Sequence, residues 1–293
     1  MGGREVGRGT QMRWAVVAAL AGMVLTSSAA RAEGIRWRSS VKDALAEAGK
    51  AGRLAMVNFY DKDCTWCERM DNETLSKAEV VQACDRVVPV RVDVDQAPDM
   101  AKQYRLEGVP SFVFLEASGA EAGRIEGFMP PEPFVQRLQE VVNEQDHVVA
   151  LRKQISEKPD SNDAKADLAR IYVRRRQGDM AAPLVDSLAA LPKEKAPKDM
   201  SELLLGTAIS FGTRGDNDKA LVYLDKVTKG YPGTEEAEWA GFFTGLALGL
   251  KGDREAAIKQ LEKVVATAKN EGIRERARML VERFREEPPV PTL

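Results

Sequence analysis

Hydrophobic and polar positions follow two different patterns along the chain, and the first half mixes helical and strand-like segments. The predicted elements, in chain order, are a helix at 39–50, a strand at 54–60, a helical segment at 68–82, a strand at 87–94, a helix at 97–105, strands at 112–115 and 123–127, and a helix at 131–143. The segments at 54–60 and 112–115 are largely apolar, which is typical of buried strands, and 87–94 is rich in valine. This order predicts an α/β fold with a central mixed sheet and helices on both faces.

The second half, about 149–285, repeats with a period of 37 residues. A Gly-Asp pair marks each repeat, at Gly178-Asp179, Gly215-Asp216 and Gly252-Asp253. Similar residue types recur after each glycine: Leu184, Leu221 and Ile258 six positions on, Ala190, Val227 and Val264 twelve on, and Ala220 and Ala257 five on, where the first unit has Pro183. A repeat of this length predicts helix–turn–helix units that stack into an all-α array. Residues 272–286 are expected to form a terminal capping helix and 287–293 an extended tail.

The first 32 residues have the pattern of a signal peptide. Three arginines precede the apolar stretch Trp14–Leu25, and Ala30-Arg31-Ala32 fits the small-x-small cleavage rule. Cleavage after Ala32 would direct the mature chain to the periplasm. An uncleaved membrane anchor is the alternative, although an apolar core of about twelve residues is short for a span of ~20. The net charge of −2 gives no indication of nucleic-acid binding.

The motif Cys64-Thr65-Trp66-Cys67 lies between a predicted strand and a predicted helix. At a helix N-terminus the helix dipole and unpaired N–H groups stabilise a thiolate, so Cys64 is the predicted nucleophile and Cys67 the resolving cysteine. A permanently closed disulfide is one alternative, but so short a loop constrains the unfolded chain little. A metal site is another, and it would need ligands beyond the remaining Cys84 and His147. The sequence predicts no metal and no other cofactor.

Residues 35–145 resemble a thioredoxin-fold domain. The resemblance rests on Val57–Tyr60 before the CxxC motif, Val92–Gln96, Tyr104–Phe112 and the late Gly127. Within that superfamily, Cys67–Val81 and Gly127–Met129 are most similar to the C-terminal periplasmic domain of the DsbD transporter, a disulfide reductase.

The thioredoxin resemblance implies a cis proline at Pro110, packed against the disulfide, with the Val109 backbone available to pair with a substrate strand. A trans proline that begins a strand is the alternative. The resemblance also implies a buried aspartate where this chain has Asn58, and an amide cannot transfer protons. Asp71 is a possible substitute, although an exposed helix carboxylate is the favoured interpretation. Trp66 is expected to contact substrate.

The repeats of the second half resemble tetratricopeptide repeats, with a longer period and few signature aromatics. Outside the CxxC motif, Cys84 is expected to be a buried, inert thiol, with a regulatory disulfide as the alternative, and His147 a surface residue of the linker. The predicted organisation is a signal peptide at 1–32, a thioredoxin-like domain at 33–147, tetratricopeptide-like repeats at 148–286 and a tail at 287–293.

The sequence therefore predicts an exported thiol–disulfide oxidoreductase that reduces or isomerises protein disulfides. Its expected partners are disulfide-containing proteins, a membrane thiol donor of the DsbD type, and a peptide or protein bound to the repeats. The alternative is a holdase chaperone of the thioredoxin–tetratricopeptide kind, in which client binding dominates over redox chemistry. The intact CxxC favours the enzyme, and the direction of the redox reaction stays open.

Overall fold

A computed structural model describes residues 34–286, and its first part is built on a four-stranded mixed sheet. The strands are β1 (Leu54–Tyr60), β2 (Val87–Asp93), β3 (Ser111–Leu115) and β4 (Glu121–Glu126), in the order β2-β1-β3-β4. β1 pairs parallel with β2 and antiparallel with β3, and β3 pairs antiparallel with β4. The predicted strand positions are confirmed, and every strand end lies within two residues of the predicted end.

The helices that follow and flank these strands occupy both faces of the sheet and then continue as an all-helical region. They are α1 (Val41–Ala51), α2 (Thr65–Met70), α3 (Ala78–Cys84), α4 (Pro98–Gln103), α5 (Pro131–Glu157), α6 (Asn162–Arg174), α7 (Gly178–Ala189), α8 (Met200–Gly212), α9 (Asn217–Gly230), α10 (Glu235–Leu250), α11 (Arg254–Thr267) and α12 (Glu271–Glu286).

Successive side chains of β1 point to opposite faces of the sheet, and helices cover both faces. Ala55, Val57 and Phe59 are fully buried in a core with α1 and α4. Leu54 and Met56 point to the opposite face, into a core with α3 and α5. Because both faces are buried, the strand is apolar except for Asn58. This arrangement is the thioredoxin fold that the sequence predicts.

The segment predicted as helical at 68–82 is not one helix. α2 continues into a π-helical turn, Asp71–Leu75, and α3 begins only after Ser76 and Lys77. Thr74 is fully buried, and its hydroxyl donates to the carbonyl of Met129 at 2.7 Å. This contact fixes the π-helical turn to the loop that follows β4.

α5 is much longer than the predicted helix at 131–143. It continues to Glu157 because its second half supplies Val148 and Leu151 to a core shared with α6. The boundary expected between residues 147 and 148 therefore lies inside a helix, and His147 is an exposed residue of that helix, not of a linker. The division into domains stays a prediction. The expected signal peptide and the tail at 287–293 lie outside the described residues.

A buried charge network joins the sheet to the helical region. Glu116, directly after β3, is 8% exposed and accepts two hydrogen bonds from Arg152 of α5, at 2.9 and 3.2 Å. Arg152 also donates to the hydroxyl of Tyr172, and Arg175 approaches Glu116 at 3.5 Å. The Arg175 side chain, 4% exposed, donates further to Glu144. The sheet-based part and the helical region are thus connected by a network of ion pairs.

The helical region consists of antiparallel pairs, α6–α7, α8–α9 and α10–α11, followed by α12. This arrangement agrees with the predicted helical array, and α12 agrees with the predicted capping helix. Close packing depends on small residues. A Cβ atom added to Gly245 of α10 would lie 2.5 Å from Leu261 of α11. No helix among residues 34–286 combines the length and apolar character needed to cross a membrane.

The first repeat unit is offset by two residues from the alignment inferred from the sequence. Gly215 and Gly252 adopt left-handed conformations, φ 83° and 88°, just before the capping residues of α9 and α11. In the first unit, Arg176 (φ 54°) takes this place, while Gly178 lies inside α7, where a Cβ would meet Phe211 at 3.2 Å.

When the first unit is aligned with this offset of two residues, it also has a small residue where the sequence alignment had none. Three buried positions match across the units: Ala181, Ala220 and Ala257; Val185, Leu224 and Leu261; and Leu188, Val227 and Val264. The turn residues are therefore separated by 39 and then 37 positions. Pro183, which stood at the small-residue position in the sequence alignment, is an interior residue of α7.

Candidate functional site

Cys64 and Cys67 form a disulfide at the N-terminus of α2, with their Cα atoms 5.2 Å apart. Cys64 is the N-cap residue, and its sulfur accepts the backbone N–H of Cys67 at 3.1 Å. Cys64 is half-buried, whereas Cys67 is 4% exposed. The accessible sulfur is thus the one that the helix N-terminus can stabilise as a thiolate.

The Val109–Pro110 peptide bond is cis, as predicted, and it lies beside the disulfide. The sulfur of Cys64 is 3.6 Å from the carbonyl oxygen of Val109. The Pro110 carbonyl accepts the N–H of Gly127 at 2.8 Å, which ties this loop to the end of β4. The fold therefore brings the CxxC motif, the proline loop and the glycine that follows β4 to one place.

An exposed aromatic group borders the disulfide on the side of Gly127. Trp66 is 53% exposed, and its ring centroid lies 5.9 Å from that of Phe128. The guanidinium of Arg69 lies over both rings, 4.8 Å from the centroid of Trp66 and 4.7 Å from that of Phe128. Glu73 accepts two hydrogen bonds from Arg69, at 2.9 and 3.1 Å. Trp66, Arg69 and Phe128 are called the aromatic platform below.

Asn58 is buried in the sheet on the face that carries α3 and α5. It is 1% exposed, and its side-chain oxygen has no hydrogen-bond partner among the described residues. Its neighbour on β2 is Arg91, whose guanidinium lies 4.3 Å from the ring centroid of Tyr60. Arg91 donates to Asp71 at 3.0 Å. Asp71 is thus a half-exposed carboxylate held in an ion pair, and its charge is already compensated.

The residues around the motif carry more negative than positive free charge. Asp61, Asp63 and Glu68 form no salt bridge with any residue between 34 and 286. Lys62, by contrast, pairs with Asp93 at 3.5 Å. The surroundings of Cys64 are therefore acidic.

Cys84 and His147 lie apart from this site. Cys84 is 3% exposed in the core beneath α3, and burial raises the pKa of its thiol to about 12, with a smaller contribution from Asp85. Within the described part of the chain, no three His, Cys, Asp or Glu side chains are placed to hold a metal ion.

Sequence reasoning placed Arg69 near Cys64 only as a compensating charge, and it missed the contact of Arg69 with the two rings. It also missed Phe128 and Arg91 as neighbours of the site. Phe128 directly follows Gly127, and Arg69 is one turn from Trp66, so both were near recognised motifs. Arg91 had no such signal, because only the strand register places it opposite Asn58.

Comparisons with known proteins identify a thioredoxin-like domain in the first part of the chain. Residues 41–142 match the family model of the thioredoxin-like domain. The thiol:disulfide interchange protein DsbD of Ralstonia nicotianae is 34% identical over 131 residues, which cover 41% of this chain and 22% of that protein. The chain therefore spans about a fifth of the length of this relative.

Solved structures give similar matches. A thioredoxin from Thermus thermophilus is 35% identical, with a TM-score of 0.34, covering 37% of this chain and 88% of that one. The oxidised DsbD C-terminal domain of Neisseria meningitidis is 25% identical, with a TM-score of 0.32, covering 36% and 97%. On the family model and the curated relatives, the chain contains a thioredoxin-like domain, followed by a long all-helical region.

Proposed function

We propose that the protein is a thiol–disulfide oxidoreductase that reduces or isomerises disulfides of exported proteins. The observation that carries the proposal is the accessible Cys64 sulfur at the N-terminus of α2, 3.6 Å from the carbonyl of Val109. A substrate strand that pairs with the Val109 backbone would bring its disulfide to that sulfur.

The proposed reaction transfers two electrons and two protons from the dithiol to the substrate disulfide. The Cys64 thiolate attacks one substrate sulfur, the substrate S–S bond breaks, and the released substrate thiolate takes a proton. The Cys67 thiolate then attacks the Cys64 sulfur, releasing the second substrate thiol and forming the Cys64–Cys67 disulfide. A dithiol donor must reduce this disulfide before the next cycle.

Export, the donor and the helical array belong to the same proposal. The basic and apolar pattern of residues 1–32 supports export with cleavage after Ala32. The similarity to DsbD supports a membrane dithiol donor of that type. Stacked helical pairs offer an extended surface for a peptide or protein partner. Fractionation of a Gram-negative host that expresses the full chain tests export, with a periplasmic product beginning at Glu33 as the expected result.

Trapping and redox measurements test the chemistry. A Cys67→Ala variant should accumulate mixed disulfides through Cys64, and a Cys64→Ser, Cys67→Ala double variant should not. A reduction potential near that of thioredoxin (~−270 mV) supports a reductase, and one near that of DsbA (~−120 mV) an oxidant. If Cys67→Ala traps nothing, and the wild type fails to reduce insulin but suppresses client aggregation, the function is that of a holdase chaperone.

A further inference from the structure

Three contacts close a ring around the half-buried Cys64. The sulfur lies against Val109, the proline loop is bonded to Gly127, and the ring of Phe128 packs on Trp66, which stands between the two cysteines. A polypeptide disulfide that reaches Cys64 must therefore place its flanking residues on this ring. One side of the ring offers backbone groups, and the other offers the aromatic platform.

The aromatic platform is held in a fixed conformation before any substrate arrives. Arg69 lies over both aromatic rings and is itself held by two hydrogen bonds to Glu73. The loop that carries Phe128 is fixed through the bond between Thr74 and the Met129 carbonyl. Ordered aromatic side chains bind a partner with a small loss of conformational entropy, which favours recognition.

The charge next to the platform defines the second part of its specificity. Glu73 compensates the charge of Arg69, whereas Asp63 and Glu68 are exposed and unpaired within the described chain. Lysine or arginine side chains of a substrate would meet these carboxylates. Acidic substrate residues would be repelled.

We propose that the aromatic platform and the carboxylates of Asp63 and Glu68 select the substrate. The favoured partner is an extended polypeptide segment with a large apolar side chain next to the attacked cysteine and a lysine or arginine beside it. This inference rests on the proposed thiol–disulfide exchange. It adds Phe128 and Arg69 to the residues that decide which disulfides are reduced.

Four disulfide-linked peptide dimers of equal length test the inference. Their cysteines are flanked by Leu and Lys, Leu and Glu, Ser and Lys, or Ser and Glu. The measured quantity is kcat/KM for reduction, with dithiothreitol as the donor and its direct reaction subtracted. The Leu/Lys peptide should exceed the Ser/Glu peptide by about tenfold at low ionic strength. The lysine preference should shrink in 0.5 M salt, whereas the leucine preference should persist.

The ratio of kcat/KM between two peptides identifies the residues that determine the preference, because a general loss of activity does not change this ratio. Trp66→Ala and Phe128→Ala should reduce the leucine preference, and Asp63→Asn with Glu68→Gln should reduce the lysine preference. The matched controls are Leu250→Ala, an exposed apolar residue of α10, and Glu79→Gln, an exposed acid of α3, and both should keep the wild-type ratios.

The outcomes separate this inference from the proposed function. Equal kcat/KM for all four peptides with the wild-type protein would overturn the selection by the platform and leave the thiol chemistry in place. Wild-type ratios in Trp66→Ala and Phe128→Ala would also overturn it. Failure of the reduced wild-type protein to reduce any of the peptides, or insulin, would overturn the proposed function itself.

Discussion

The sheet-based part and the helical array use interruptions of regular structure for different purposes. In the sheet-based part, the N-cap at Cys64, the π-helical turn, the cis proline and Gly127 are all irregular, and they converge on one disulfide. In the array, the irregular residues Arg176, Gly215 and Gly252 recur once per unit and only reverse the chain. Irregularity in the first part creates a reactive site, whereas in the second it sets the spacing of helices.

This difference makes the two parts respond differently to substitution. A change near the disulfide should alter thiol chemistry, whereas a change in the packing between helices of the array should alter stability and leave thiol chemistry unchanged. Five predictions test this contrast, beginning with the largest expected effect.

The first prediction concerns two cysteines in the same part of the fold. In a Cys64→Ser, Cys67→Ser variant, Cys84 should react with a thiol reagent at pH 8 about a thousandfold more slowly than in urea. The reason is that burial raises the pKa of its thiol from 9.0 to about 12, and only the thiolate reacts. Fast labelling of the folded variant would show that this core opens.

The raised pKa of Cys84 also makes the free energy of unfolding depend on pH. Because the folded pKa is raised, the contribution of Cys84 is fully present below about pH 9 and is lost as the pH rises towards 12. A Cys84→Ala variant should lose less stability over this interval than the wild type, as measured by urea unfolding.

The second prediction concerns the charge network that joins the two parts. Glu116→Gln should lower the free energy of unfolding by about 2–3 kcal/mol. Arg152 loses its carboxylate partner, and the buried Arg175 loses one of two carboxylates. The control is Asp225→Asn, which removes an exposed pair with Lys229 and should cost less than about 0.5 kcal/mol. Equal effects would mean that the junction contributes no more than a surface ion pair.

The third prediction concerns close packing in the array. Gly245→Ala should destabilise the protein by about 1–3 kcal/mol, since the added methyl group would overlap Leu261. Gly230→Ala, at the end of α9, meets no atom within 4 Å and should be neutral or stabilising. Thermal unfolding measures both. Insulin reduction by the folded Gly245→Ala protein should match that of the wild type.

The fourth prediction tests the offset of the first repeat unit. Gly215→Ala should cost about 1 kcal/mol, because a residue with a Cβ is strained at φ 83°. Arg176→Gly should change stability by less than about 0.5 kcal/mol, as relief of strain offsets the greater freedom of glycine in the unfolded chain. A large loss in Arg176→Gly would show that its side chain, not its conformation, matters at this turn.

The fifth prediction concerns Asn58. Asn58→Asp should introduce a severalfold pH dependence into the release of mixed disulfides between pH 6 and 8, whereas the wild type should vary little. Burial raises the pKa of a carboxyl group at this position, so it would titrate in or near this range. Asp71→Asn is the control, because Arg91 already compensates that carboxylate. The absence of any change in Asn58→Asp would contradict a role in proton transfer.

Local signals predicted much of this molecule. The apolar runs located β1 to β3, because strands buried on both faces need them, and the CxxC motif and Val109–Pro110 located the two halves of the site. Glycine and alanine spacing predicted the array. These features depend on residues that are close in sequence or repeat at a fixed interval.

The remaining features depend on contacts between distant residues. Nothing local indicates that Glu116 pairs with Arg152 and Arg175, or that Thr74 bonds to the loop after β4. The extension of α5 depends on α6, which buries Val148 and Leu151. The sequence alignment of the first unit was wrong because Gly178 was taken for the turn glycine. In the structure Gly178 belongs to α7, and its lack of a side chain leaves space for Phe211.

α5 is a continuous helix of 27 residues, about 40 Å long, and it connects the sheet-based part to the array. It would determine how a client bound to the array, as proposed, meets the disulfide. A flexible tether would let every bound client sample the active site at a moderate effective concentration. A helix allows no such search. If the array binds clients as proposed, the effective concentration would be high for clients whose cysteine falls at the right distance from the bound segment, and low for the others. The protein would therefore select clients by the distance between their cysteine and the segment bound to the array, as well as by composition.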